Sequence, residues 1–152
     1  MRGTTRLKTL PKEVPTMTYT HTMTVDLSYD EAVARTRKAL AAQGFGVLTE
    51  IDIPATFETK LGPEAAADIG DYIILGACNP TLAQQALTAD PAMGALLPCN
   101  VVIRRAPEAK VTTIQALDPQ TMVQLSNTPA VTEVAKDAEQ RLQAALTALK
   151  TL

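Results

Sequence analysis

Residues 71–80 read Asp71-Tyr72-Ile73-Ile74-Leu75-Gly76-Ala77-Cys78-Asn79-Pro80, an almost continuous apolar run closed by an asparagine and a proline. A run of that length and composition predicts a central β-strand covered on both faces. Asn79 and Pro80 then supply an N-cap side chain and a proline at the first helical position, so a helix is expected to start where the strand stops.

On the N-terminal side, Thr18 to Asp26 alternates strictly, with Tyr19, His21, Met23 and Val25 on one face and four threonines on the other. That is the pattern of a half-buried strand. Ser28-Tyr29-Asp30-Glu31 is a capping box, and the helix it opens should run to about Gln43 and stop at Gly44. Its inner stripe is Tyr29, Val33, Thr36 and Leu40. A second strand follows from Phe45 to Ile53, with Phe45, Val47, Thr49, Ile51 and Ile53 expected inward and Glu50 and Asp52 on the opposite face. Pro54 ends it, and Ala55 to Leu61 reads as a short helix closed by Gly62.

Beyond Pro80 the helix should end near Asp90-Pro91, and Ala92 to Pro98 reads as a packed connector. Cys99 to Arg105 and Lys110 to Asp118 form a hairpin around residues 106–109, and Pro119 to Leu125 is a helical turn. A final helix from Thr128-Pro129 to about Leu149 buries Val131, Val134, Ala135, Ala138, Leu142, Ala145, Leu146 and Leu149. The order β-α-β-β-α-β-β-α predicts an α+β fold, a two-layer α/β sandwich with helices packed on one sheet face. Whether Cys78 and Cys99 share an end of the sheet depends on the crossover. A helix that runs out with a connector that runs back puts them together, whereas a helix that crosses alone puts them apart.

The chain has 152 residues, enough for one domain, which we expect over residues 18–152, with residues 1–17 as a disordered arm. Met17 could itself begin the domain. A formal net charge of −2 argues against nucleic acid as a partner, because phosphate neutralisation needs a basic face. The cluster Arg35, Arg37 and Lys38 lies one turn from Asp30 and Glu31 and reads as a solvated helix face. No apolar run approaches the ~18 residues of a membrane span, and the basic start lacks the apolar stretch of a secretory signal. Two cysteines without an export signal suggest reduced thiols and a cytoplasmic protein.

Three segments carry a resemblance: Gly44 to Asp52 (GFGVLTEID), Ile74 to Pro80 (ILGACNP) and Leu97 to Val102 (LPCNVV). In this order they resemble the DUF302 family, small bacterial and archaeal domains of unknown function, over about Thr18 to Leu149. The resemblance implies a compact α+β fold able to self-associate as a homodimer. It implies no assigned reaction and brings no established catalytic residues.

Enzyme signatures are mostly excluded: the chain has no P-loop, no GxGxxG, no HExxH and no CxxC. One histidine and two serines barely allow a Ser-His-acid triad, and Ser28 already belongs to the capping box. Cys78 stands directly before the Asn79 cap, beside free amides and the positive end of a helix, an arrangement that favours a thiolate and binds anions. Its bland reading is a small buried hydrophobe. Cys99 opens a strand in a related Pro-Cys-Asn context, and Asn79 and Asn100 could each hydrogen-bond a thiolate or ligand. Glu50 and Asp52 could serve as paired carboxylates, with Lys60 as ligand-binding group or counter-charge; solvated charges would look the same. His21 reads as a core histidine with a hydrogen-bond partner and no metal, the sharper alternative being a soft metal or haem ligand with Met23 and a cysteine.

The leading expectation is a binding module for a small molecule (an anion, a thiol compound or a metal) at Cys78, Asn79 and the helix start. Cys99, Asn100, Glu50 and Lys60 are its further candidates. The alternatives are a thiol-dependent enzyme in sulfur transfer or redox chemistry, with Cys78 as nucleophile and Cys99 as resolving thiol, and a purely structural homodimer. No cofactor is specified, and neither nucleic acid nor membrane is expected as a partner.

Overall fold

The structure is a computed structural model that describes residues 18–150. The expectation for the N-terminal arm lies outside those residues. Five strands form one antiparallel sheet in the order β1-β5-β4-β3-β2, where β1 is Thr20–Val25, β2 Gly46–Asp52, β3 Asp71–Cys78, β4 Cys99–Arg105 and β5 Thr112–Leu117. The principal helices are α1 (Tyr29–Ala42), α4 (Pro80–Ala89) and α6 (Pro129–Lys150). Between them lie α2 (Ile53–Leu61), α3 (Pro63–Ile69), a 3-10 turn over Pro91–Leu96, and α5 (Gln120–Leu125). The architecture is the expected α+β sandwich. α3 was not foreseen: Pro63 restarts a helix immediately after Gly62, which adopts φ 104° and so breaks α2.

One face of the sheet carries the core. Met23, Val25, Ile73, Leu75, Ala77, Val101, Ile103, Ile114 and Ala116 meet Ala32 and Leu40 of α1 and Leu142, Ala145 and Leu149 of α6. The serine half of the capping box forms, with the Glu31 amide donating to the Ser28 hydroxyl at 3.2 Å, while the Glu31 carboxylate accepts from Arg35 at 2.7 Å. The stripe of α6 is buried throughout except Leu146, which is partly covered. The other sheet face carries no principal helix. Across it the register aligns Ile51, Ile74, Val102, Gln115 and Thr22, and Gln115 links Arg104 to Thr22 by side-chain hydrogen bonds of 2.9 and 3.2 Å. β3 is therefore covered on one face only: Ile73, Leu75 and Ala77 are buried, while Tyr72, Ile74 and Cys78 are partly exposed. Its apolar run reflects a mixed outer face rather than a second helical layer.

β2 departs from expectation in a way that matters for the charged candidates. Val47 pairs with Ala77 and packs on the core, but the register shifts before Thr49, which pairs with Gly76. This irregularity at Leu48 inverts the alternation after it. Thr49 and Ile51 consequently share the uncovered face with Gly76 and Ile74, while Glu50 and Asp52 pair with Leu75 and Ile73 on the helix side. A strict two-residue period cannot survive one extra residue. At this edge the inward carboxylates stay exposed, and Arg37 of α1 takes Glu50 as its ion-pair partner.

Candidate functional site

The crossover from β3 to β4 settles where the cysteines lie. α4 runs out, the 3-10 turn and the cis Leu97–Pro98 peptide bring the chain back, and β4 starts with Cys99 paired opposite Ala77. Cys78 and Cys99 thus sit at the same end of the sheet on neighbouring strands. Both border a small apolar cavity of about 30 Å³, whose walls include Phe45, Leu82, Pro98 and Met122. On the usual measure one water needs ~10–15 Å³, so the space suits about two or three heavy atoms.

The two thiols differ. Cys99 is 6% exposed. Burial, and then the proximity of Cys78, push its thiol up to about 11, so it stays protonated at neutral pH. Cys78 is half-buried. A resolving thiol must ionise to work, and Cys99 is poorly placed to do so.

Asn79 takes its predicted part: its side-chain oxygen accepts the Leu82 amide at 3.1 Å and its carbonyl accepts the Ala83 amide at 2.9 Å. Pro80 has no N–H to offer. The amides that would bind an anion at the start of α4 are therefore largely used. Asn79 is also held from behind. Gly44 adopts φ 84°, and a Cβ there would come within 2.9 Å of the Asn79 amide nitrogen, so the turn after α1 packs directly against the cap. Replacing Asn79 with alanine should remove one capping bond and cost about 1 kcal/mol, read as a lower midpoint in urea unfolding with an unchanged slope. A change within a few tenths would mean that the cap bond contributes nothing.

The remaining candidates are not drawn to this cavity. Asn100 is exposed on the uncovered face, at the register of Gly76. Glu50 binds Arg37, and Asp52 caps α2 by accepting the Ala55 amide at 3.0 Å. Lys60 is exposed in the last turn of α2 and is not the counter-charge of either acid. Beside these acids, burial, then Asp52, Asp71, Asp30 and Glu50, push the Tyr29 phenol up to about 12.

His21 keeps company that sequence reasoning did not select. Its Nε2 is buried without a hydrogen-bond partner, contrary to expectation, and lies 3.5 Å from Asp118 Oδ1 and 3.6 Å from Glu139 Oε1. No cysteine belongs to this cluster. Asp118 follows β5 and Glu139 borders the buried stripe of α6, an acid directly after Ala138. That position beside an apolar stripe is the signal that could have found it.

Comparisons with known proteins agree with this fold. The model of the family described as "Domain of unknown function DUF302" matches residues 21–149. The crystal structure of an uncharacterised conserved DUF302 protein from Bacillus stearothermophilus superposes with a TM-score of 0.75 at 30% identity, covering 86% of this chain and 98% of that one. No curated protein matches the chain. Among the described residues no helix is long and apolar enough to cross a membrane. With most of its length matched by the family model, and a fold shared with a solved member over nearly all of that member, this chain belongs to the DUF302 family.

Proposed function

We propose that the domain is a binding module whose ligand is small and thiophilic, seated against Cys78 and Cys99. The observation that carries this reading is the cavity itself, which Cys78, Cys99 and Met122 line together with Asn79 and apolar residues. An anion is disfavoured because an uncompensated charge is costly to desolvate there and the amides at the start of α4 are already engaged. A soft ligand is different. Thiolate and thioether donors select weakly hydrated, polarisable species such as Cu(I), and a small sulfur compound shares that chemistry. The thiol-enzyme alternative is weaker, since the buried thiol of Cys99 resists ionisation unaided, whereas a bound soft cation itself draws the proton from a coordinating thiol.

Anaerobic titration with Cu(I), followed by native mass spectrometry, tests the reading. One equivalent should bind, slow alkylation of Cys78 by iodoacetamide, and be lost in Cys78→Ser and Cys99→Ser. Binding should tighten as pH rises, because each thiol must release a proton to become a ligand. A parallel arm with a low-molecular-weight persulfide distinguishes the two sources. The Cys78 thiolate attacks its outer sulfur, the S–S bond breaks, the parent thiol leaves, and the resulting Cys78 persulfide is covalent and survives denaturation. If neither probe binds, or binding ignores both cysteines, the cavity is only a packing defect and the reading is wrong.

A further inference from the structure

Three different elements deliver His21, Asp118 and Glu139 to one point: β1, the turn after β5, and the middle of α6. Their ligand atoms all lie within 4.8 Å of one another. We infer that these three residues form a site for a divalent first-row metal ion, separate from the thiol-lined cavity and independent of its proposed role.

The spacing suits a metal site better than a hydrogen-bonded ion pair. A charge-assisted hydrogen bond between an imidazolium and a carboxylate would close to about 2.7–2.9 Å. The separations of 3.5 and 3.6 Å are too long for that. They are close to the edge of a coordination tetrahedron, about 3.4 Å for bonds of roughly 2.1 Å. With Nε2 as a lone-pair donor it would otherwise face two oxygens that are also acceptors, which explains why it has no hydrogen bond. A cation between them satisfies all three atoms, and two carboxylates balance a charge of +2.

The carboxylates are held ready. Asp118 Oδ1 accepts the Gln120 amide at 2.9 Å, and the Gln120 side chain donates to Glu139 Oε2 at 2.7 Å. One residue thus orients both acids, as outer ligands do around metal centres. His21 also lines a cleft of about 170 Å³ together with Gln143, Thr147 and Lys150, so solvent reaches one side of the ring while Nε2 itself is covered, and an ion would enter by a side-chain movement there. One nitrogen and two oxygens favour a borderline or harder ion such as Zn²⁺ or Mn²⁺ over the soft ions suited to thiols.

The chain contains a single histidine, so its ring-proton NMR signals report on this site alone. In the full-length protein, substoichiometric Mn²⁺ should broaden the His21 ring signals and one equivalent of Zn²⁺ should shift them. In Asp118→Asn and Glu139→Gln, which preserve side-chain shape, the same effects should need at least tenfold more metal. Glu139→Gln lies on the partly exposed flank of α6, so its fold should survive even if the Asp118 variant does not. The wild type should also melt at a higher temperature with Zn²⁺, and Glu139→Gln should not. His21 signals that ignore one equivalent of either ion, or respond equally in the carboxylate variants, would overturn the inference.

Discussion

Gly76→Ala is expected to destabilise the domain by about 1–3 kcal/mol, because it overfills a place where three segments meet. Gly76 lies on the uncovered face of β3, yet it is buried, since Thr49 of the neighbouring strand and Pro98 of the returning connector close over it. A Cβ here would overlap the Thr49 hydroxyl and stand 2.9 Å from Pro98 Cγ. Thr49 can rotate away, but the Pro98 ring is fixed by the backbone that returns the chain to β4. The strain therefore falls on the connector that forms one wall of the thiol-lined cavity. At roughly 4 °C per kcal/mol for a domain of this size, the melting midpoint should drop by about 4–12 °C. Gly46→Ala is the control, because a Cβ there meets nothing within 4 Å. Thr49→Ala in the Gly76→Ala background should restore part of the loss. If Gly76→Ala melts no lower than Gly46→Ala, the close approach has no energetic weight.

That contrast also shows how far a single sequence can be read. Elements with a long, clean signal were legible: the threonine alternation of β1, the Ser28 N-cap, the Asn79-Pro80 start of α4 and the stripe of α6 all stand where their patterns place them. The faces of β2 were not, because the register shift after Val47 leaves no mark in composition, and every side chain beyond it turns over. The candidate sites divide in the same way. Local chemistry identified Cys78 and Asn79. That Cys99 joins Cys78 depends on the path of the connector, which two crossover geometries left open. Asp118 and Glu139 were invisible as partners of His21, since they lie 97 and 118 positions along the chain (118 − 21 and 139 − 21) and only the packing of α6 over β1 and β5 unites them.

The second large effect should appear in alkali. The Cys99 thiol moves from its ordinary value near 9 to about 11 on folding, chiefly through burial. Because the folded value is raised, the unfolded chain gives up this proton first, and stability must fall as pH climbs through the window from 9 to 11. Below pH 9 both states keep the proton and the term vanishes. At pH 10 the loss should reach about 1.4 kcal/mol, and beyond pH 11 it should level off near 2–3 kcal/mol. Cys99→Ala lacks this term. It should be less stable than wild type at pH 8, because it deletes a buried group, but the gap should narrow steadily as pH rises. Urea unfolding of both proteins under reductant at half-unit steps from pH 8 to 10.5 reads the difference directly. Tyr29 also titrates with a raised value, but it is present in both proteins and cancels from the comparison. Parallel stability curves, with a gap that does not change between pH 8 and 10.5, would mean that Cys99 ionises as easily folded as unfolded. The thiol-enzyme reading would then regain the resolving thiol that burial denies it.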